Sequence, residues 1–307
     1  MILTVTLNPC IDKSTSAKVL EPESKLRCAE ILNEAGGGGI NVSKALKRLD
    51  IYSTALFPSG GHNGNMLCDL LRKQSIDFHA IDSDVETREN WIVLESTTNH
   101  QFRFTFPGHT VEEKVIIKLV DEIRSFSPSY VIASGSLPPG LPDYFYGLII
   151  NTANAAGAKC IIDTSGTPLE AIKGKNAFLI KPNLGELSRL LNYEGLKINE
   201  ADDAALQLIQ NGYAEVIVVS MGGNGAWLVT ASEKYFVQAP PIEKKSTVGA
   251  GDSMVAGITY ALQKQLSFKD ALHWGVACGS AATMNAGTQL FNKEDAFRLY
   301  NILQQNG

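Results

Sequence analysis

Short apolar runs alternate along this chain with longer segments whose apolar residues recur at helical spacing. Tyr130-Val-Ile-Ala133, Cys160-Ile-Ile-Asp163, Ala177-Phe-Leu-Ile-Lys181 and Val216-Ile-Val-Val-Ser220 are brief and apolar almost throughout. That pattern suits strands covered on both faces, as in a parallel sheet. Met1-Ile-Leu-Thr-Val-Thr-Leu-Asn-Pro9 is apolar without a basic leader or cleavage site, so it predicts a first buried strand rather than a signal peptide. Residues 112–126, 143–156 and 199–210 carry helical periodicity, and 250–263, 268–284 and 293–303 predict three successive helices at the end of the chain. The alternation predicts an α/β fold, a doubly wound and mostly parallel sheet flanked by helices.

Two stretches break the alternation. Residues 12–34 lack helical period. Residues 86–106 contain Trp91-Ile-Val-Leu-Glu95 and Gln101-Phe-Arg-Phe-Thr-Phe106 on either side of the turn-rich Ser96-Thr-Thr-Asn-His100, which predicts a hairpin. Together they predict a small antiparallel sheet, inserted twice into a single domain spanning 1–307 and placed to act as a lid. Trp91, Val93, Phe102, Phe104 and Phe106 give that sheet more apolar surface than a hairpin can bury by itself. A twofold homodimer packed through the lid would cover it.

Composition narrows the function classes. Of 307 residues, 27 are basic and 32 acidic, a net charge of −5, which lacks the basic excess of a nucleic-acid binder. No apolar run approaches membrane-spanning length. Cys10, Cys28, Cys68, Cys160 and Cys278 are scattered with no Cys-x-x-Cys pair, the usage of a reduced cytoplasmic protein without a zinc site or disulfide frame.

Glycine concentrates in four segments: Ala35-Gly-Gly-Gly-Gly-Ile-Asn41, Ser134-Gly-Ser-Leu-Pro-Pro-Gly140, Met221-Gly-Gly-Asn-Gly225 and Val248-Gly-Ala-Gly-Asp252. None is followed by Gly-Lys-Ser/Thr, and Asn41 and Met254 stand where a dinucleotide fingerprint needs its third glycine. Gly249-Ala250-Gly251 before a helix still leaves backbone N–H groups open to an anion. Asp252 there is either a helix cap or a base beside a transferred phosphoryl group. Lys181-Pro-Asn183-Leu-Gly-Glu186 opens another helix. Asn183 and Glu186 are either a capping box or hard oxygen donors for hydrated Mg²⁺.

Taken together, these motifs resemble the ribokinase-like (PfkB-type) carbohydrate kinase superfamily over the whole chain. Within it, Lys25-Leu-Arg-Cys28, Gly36-Gly-Gly-Gly-Ile-Asn-Val42, Gly135-Ser-Leu-Pro-Pro-Gly140 and Ser246-Thr-Val-Gly-Ala-Gly-Asp-Ser-Met254 resemble the phosphofructokinase and tagatose-6-phosphate kinase branch, above all its minor bacterial 6-phosphofructokinases. The resemblance implies that Asp252 is the catalytic base and Gly249, Ala250 and Gly251 the anion hole. It implies sugar contacts from Asp12, Gly37, Gly38 and Asn41. Lys25, Arg27, Arg88 and Arg103, all in the lid stretches, would hold the phosphate already on the substrate. ATP would meet Lys181, Asn183, Ser220, Gly222 and Gly225. Asn183 and Glu186 would organise Mg²⁺ largely through water, and Ser246, Val248, Ala282, Asn285 and Gly287 match loops that bind a monovalent cation, K⁺.

The implied reaction is transfer of the ATP γ-phosphoryl group to the 1-hydroxyl of fructose 6-phosphate. Tagatose-6-phosphate kinase, 1-phosphofructokinase and a non-catalytic sensor on the same fold are the alternatives. Three positions depart from the pattern. Gly38 replaces the lysine that many 1-phosphofructokinases carry in the first glycine run, Gly185 replaces a lysine near the nucleotide phosphates, and Gln289 replaces an arginine beside the cation loop.

Overall fold

The computed structural model describes residues 1–285 and 289–306. Among the described residues, thirteen strands and ten α-helices follow one another, beginning β1 (Ile2–Val5), β2 (Cys10–Ala17), β3 (Leu32–Gly36), α1 (Gly38–Arg48), β4 (Ser53–Ser59), α2 (Gly61–Lys73), β5 (Asp77–Asp82), β6 (Arg88–Glu95) and β7 (His100–Thr105). The chain continues through α3 (Glu113–Ser125), β8 (Tyr130–Ser134), α4 (Phe145–Ala155), β9 (Lys159–Asp163), α5 (Thr167–Glu170), β10 (Ala177–Ile180), α6 (Leu184–Leu190), α7 (Ala201–Gln210) and β11 (Ala214–Ser220). It ends with β12 (Ala226–Val229), β13 (Lys234–Val237), α8 (Ala250–Gln263), α9 (Phe268–Thr283) and α10 (Lys293–Asn306).

The main sheet has the order β13-β12-β11-β10-β9-β8-β1-β4-β5. Its pairs from β5 to β11 are parallel, and β12 and β13 add an antiparallel edge. The continuous apolar runs have a direct explanation in the pleat, which turns successive side chains to opposite faces. Leu3, Val131, Ala133, Cys160 and Ile162 join one core with α3, α4 and α7. Their neighbours Ile2, Tyr130, Ile132 and Ile161 join the other, with α1, α8, α9 and α10. Both faces are covered, so no polar alternation survives in these strands.

The small sheet has the order β3-β2-β6-β7. Sequence predicts it as antiparallel, and the structure corrects this. β2 pairs with β3 and β6 with β7 antiparallel, but β2 and β6 run parallel in the register Asp12↔Asn90 and Ser14↔Ile92. The two insertions leave the main sheet separately, so nothing obliges their pairing to follow hairpin geometry. The two central strands of this sheet also start earlier than the pattern suggests, β2 at Cys10 and β6 at Arg88.

Order reverses beside β1, where β4 lies on one side and β8 on the other. Such switch points open a crevice at the carboxyl ends of the strands. Ser134, Asp163 and Ser220 end β8, β9 and β11, and Lys181 directly follows β10.

Candidate active site

Asp252 lies in the first turn of α8, but it is not the cap. The N-cap is Gly249, in the left-handed region at φ 71°, where an added Cβ would come within 2.7 Å of Leu290. A residue with a side chain is therefore strained here on two counts. The first-turn N–H groups of α8 have no acceptor within the helix, and Ala250 N–H donates only at 3.5 Å, to Thr247 O in the preceding turn.

The Asp252 carboxylate is held from elsewhere. Asn41 Nδ2 donates to Oδ2 at 3.0 Å from α1, and Ser134 Oγ donates to Oδ1 at 3.3 Å from the end of β8. α1 and β8 can meet this closely because residue 38 is glycine. A Cβ there would collide with Ser134 Oγ and come within 2.8 Å of the Gly135 nitrogen. Partial burial and the nearby Asp163 charge push the Asp252 carboxyl up from an ordinary 3.8 to about 6, against the pull of Asn41, Lys181 and Ser134.

Beside it, Lys181 and Asp163 form an ion pair at 3.1 Å, with the lysine buried. Burial works against the ammonium, but Asp163, helped by Glu186 and Asp252, outweighs it and holds the lysine above its usual pKa. The pair flanks the glycine turn: a Cβ on Gly251 would lie 3.5 Å from Lys181 Nζ and 3.7 Å from Asp163 Oδ2.

Asn183 and Glu186 form the capping box. Glu186 N donates to Asn183 Oδ1 at 2.9 Å, and Asn183 N donates to Glu186 Oε2 at 2.8 Å. The cap uses Oε2 of Glu186. Burial raises the Glu186 pKa. Among the described residues, no three His, Cys, Asp or Glu side chains converge on one point. Asp163, Asn183 and Glu186 are hard oxygen donors, so Mg²⁺ fits here with water and phosphate oxygens filling most of its shell. Ser220 sits next to this cap, its N–H donating to Pro182 O at 3.0 Å, and the exposed turn at Gly222 has open space around it. Gly225 is required by packing, because a Cβ would collide with Val237 O.

The segment proposed for a monovalent cation is stitched across two loops. Lys245 N and Ser246 N donate to Thr283 O at 2.8 and 3.2 Å, and Val248 N to Ser246 Oγ at 3.2 Å. Asn285 N donates to Ala282 O, and Asn285 Nδ2 to Leu290 O at 3.0 Å. Gly287 lies outside the described residues.

On the small sheet, Asp12 accepts from Asn90 Nδ2 at 2.9 Å. Its carboxylate lies against Gly36, while Gly37 reaches φ 116° just before α1. Arg88 is a cross-link as well as a cation: Nε and Nη2 donate to Asn8 O at 3.2 and 3.1 Å, and Nη1 to Phe106 O at 2.9 Å. Arg103 reaches from β7 to Thr247 Oγ1 at 3.4 Å, beside the anion turn. Lys25 and Arg27 are exposed between β2 and β3, and neither forms an ion pair or side-chain hydrogen bond among the described residues. A cleft of about 740 Å³ opens between this sheet and the body, lined by Ser14, Leu32, Ile92, Gln101, Lys245 and Gln289.

Sequence reasoning missed Asp163, Ser134 and Asn90. Asp163 had a usable signal, a carboxylate ending a buried parallel strand. Ser134 and Asn90 had none, because their partners lie 118 and 78 residues away.

The pfkB family carbohydrate kinase model matches residues 4–295. The chain belongs to the pfkB family of carbohydrate kinases. It is accordingly a phosphotransferase that acts on a sugar hydroxyl. The kinase is 38% identical over 306 residues to the ATP-dependent 6-phosphofructokinase isozyme 2 of Escherichia coli K12, covering 99% of each chain. It is 32% identical to the 1-phosphofructokinase of Bacillus subtilis 168, covering 95% of this chain and 96% of that one. The crystal structure of phosphofructokinase-2 from Escherichia coli in complex with potassium superposes with a TM-score of 0.94 at 37% identity, covering 99% of both chains. Among the described residues, no helix is long and apolar enough to cross a membrane.

Proposed function

We propose that the kinase transfers the ATP γ-phosphoryl group to the 1-hydroxyl of fructose 6-phosphate, giving fructose 1,6-bisphosphate. The observation that carries this is the freedom of Asp252 from capping: Asn41 and Ser134 hold its carboxylate, in the same helix turn as the Gly249-Ala250-Gly251 amides. Asp252 takes the hydroxyl proton as the oxygen attacks, and the amides hold the charge of the moving phosphoryl group. Asp12, Gly37, Gly38 and Asn41 orient the sugar. Lys25, Arg27, Arg88 and Arg103 supply charge-assisted contacts to its existing phosphate. Lys181, Asn183, Ser220, Gly222 and Gly225 line the nucleotide site. Asn183 and Glu186 would hold Mg²⁺, largely through water, and the ion would supply positive charge against the ATP phosphates.

Phosphofructokinase-2 from Escherichia coli has been crystallised with fructose-6-phosphate at 36% identity to this chain, which supports the same substrate here. The 1-phosphofructokinase likeness favours fructose 1-phosphate as the second candidate. Measuring ADP release with fructose 6-phosphate, fructose 1-phosphate and tagatose 6-phosphate decides between them. A kcat/KM for fructose 6-phosphate below either rival would reassign the substrate, and no turnover on any would leave a sensor.

We propose further that the chain is one domain with the small sheet as its lid, a cytoplasmic homodimer joined through that sheet. Phe102, Phe104 and Phe106 support this, at 40–49% exposed on one side of β7 and its exit. The five free thiols suit the compartment. Ser246, Val248, Ala282, Asn285 and Gly287 are the proposed K⁺ loops.

A further inference from the structure

Asn90 makes four hydrogen bonds with one amide. Its Nδ2 donates to Asp12 Oδ1 at 2.9 Å and toward Cys10 Sγ at 3.2 Å. Its Oδ1 accepts from Arg88 Nη1 at 3.3 Å and from Phe106 N at 3.2 Å. The orientation of the amide is settled by its neighbours, since the reverse would turn NH₂ onto two donors and oxygen onto a carboxylate. Three strands meet here: Asp12 is on β2, Asn90 and Arg88 on β6, and Phe106 leaves β7. Cys10 adds its own bond to Asp12 at 3.3 Å, while burial first, and Asp12 second, raises its thiol well above the usual pKa. The thiol therefore stays protonated and can donate.

We propose that Asn90 is a positioning residue that sets Asp12 and Arg88 relative to each other, and so couples recognition of the sugar hydroxyls to recognition of the phosphate at the other end of the substrate. The inference rests on the sugar-phosphate reading above. The carboxylate of Asp12 is held through Nδ2, and Arg88, already bonded to Asn8 O and Phe106 O, is tied to the same planar group through Oδ1, so neither can turn without breaking a bond to it. No other side chain in the described structure contacts both residues through hydrogen bonds. An amide is suited to this place because it alone among side chains of its size offers two donors, to the carboxylate and to the thiol, together with an acceptor for the cation.

The test compares Asn90→Ala and Asn90→Asp with the unaltered enzyme, using fructose 6-phosphate and ATP over the pH range in which all three stay folded. For Asn90→Ala, the KM for fructose 6-phosphate should rise about 10- to 100-fold, the worth of a hydrogen bond to a charged group, with the KM for ATP unchanged. Asn90→Asp sets a carboxylate against Asp12, and two such groups share one proton. Its kcat/KM relative to the unaltered enzyme should therefore climb as pH falls, because the protonated variant can again donate to Asp12. A merely structural role would not create that pH dependence. An unchanged KM in Asn90→Ala, or a ratio for Asn90→Asp that is flat with pH, overturns the inference. Failure of the unaltered enzyme to turn over fructose 6-phosphate instead overturns the substrate reading, and the inference falls with it.

Discussion

Asn41 and Asp252, 211 residues apart in the chain, meet through a 3.0 Å hydrogen bond between the first turns of two helices. Asn41 follows one glycine run and Asp252 the other. The bond joins the two helix starts and fixes the direction of the carboxylate.

Asp252→Asn should lose about 10²- to 10⁴-fold in kcat, the usual contribution of a positioned base, while binding of ATP and fructose 6-phosphate is retained. An amide can still accept from Asn41 and donate to Ser134. The stability change runs the other way. A carboxyl raised from 3.8 to about 6 stabilises the fold fully below 3.8 and loses that contribution as pH rises through 6. Above neutral pH the variant should therefore be more stable than the unaltered enzyme by about 3 kcal/mol, read as a higher unfolding temperature, with the gap closing in acid. Near-normal turnover would remove Asp252 from the mechanism.

The same pKa fixes the acid limb of activity. kcat/KM should fall with a single proton as pH drops through about 6 and stay level above it. Asn41→Ala removes a bond to the ionised form, so the limb should move to higher pH, with about a 10-fold loss on the plateau. A limb that does not move on this substitution would place the titrating group elsewhere.

Opposite shifts are expected from the two members of the neighbouring ion pair. Asp163 raises and Lys181 lowers the Asp252 pKa. Asp163→Asn should move the acid limb down and Lys181→Met should move it up. Lys181→Met also strands a partly buried carboxylate, at a cost of about 3–5 kcal/mol in thermal or denaturant unfolding. Shifts in the same direction for both would contradict the arrangement.

Phe104→Glu probes assembly. Phe104 is 49% exposed, so within one subunit the change should cost little. In a dimer closed through the small sheet it buries a charge, and sedimentation should then show monomers with reduced activity. An unchanged sedimentation profile would move the interface elsewhere.

Much of the main sheet was legible because strands buried on both faces must be apolar throughout, and α8 and α9 because their apolar periodicity runs the length of each helix. The Gly-Ala-Gly-Asp stretch pointed to a candidate anion site through backbone chemistry that needs no partner. The sequence could not say that Asp252 does not cap α8, since that depends on Gly249 taking a positive φ against Leu290. Nor could it yield the parallel pairing of β2 with β6, or the roles of Ser134, Asp163 and Asn90. Those follow from which strand ends the topology brings side by side at the crevice. Local patterns encode which face of an element is buried, whereas a site is made of contacts between elements, and only the packing of the whole chain decides them.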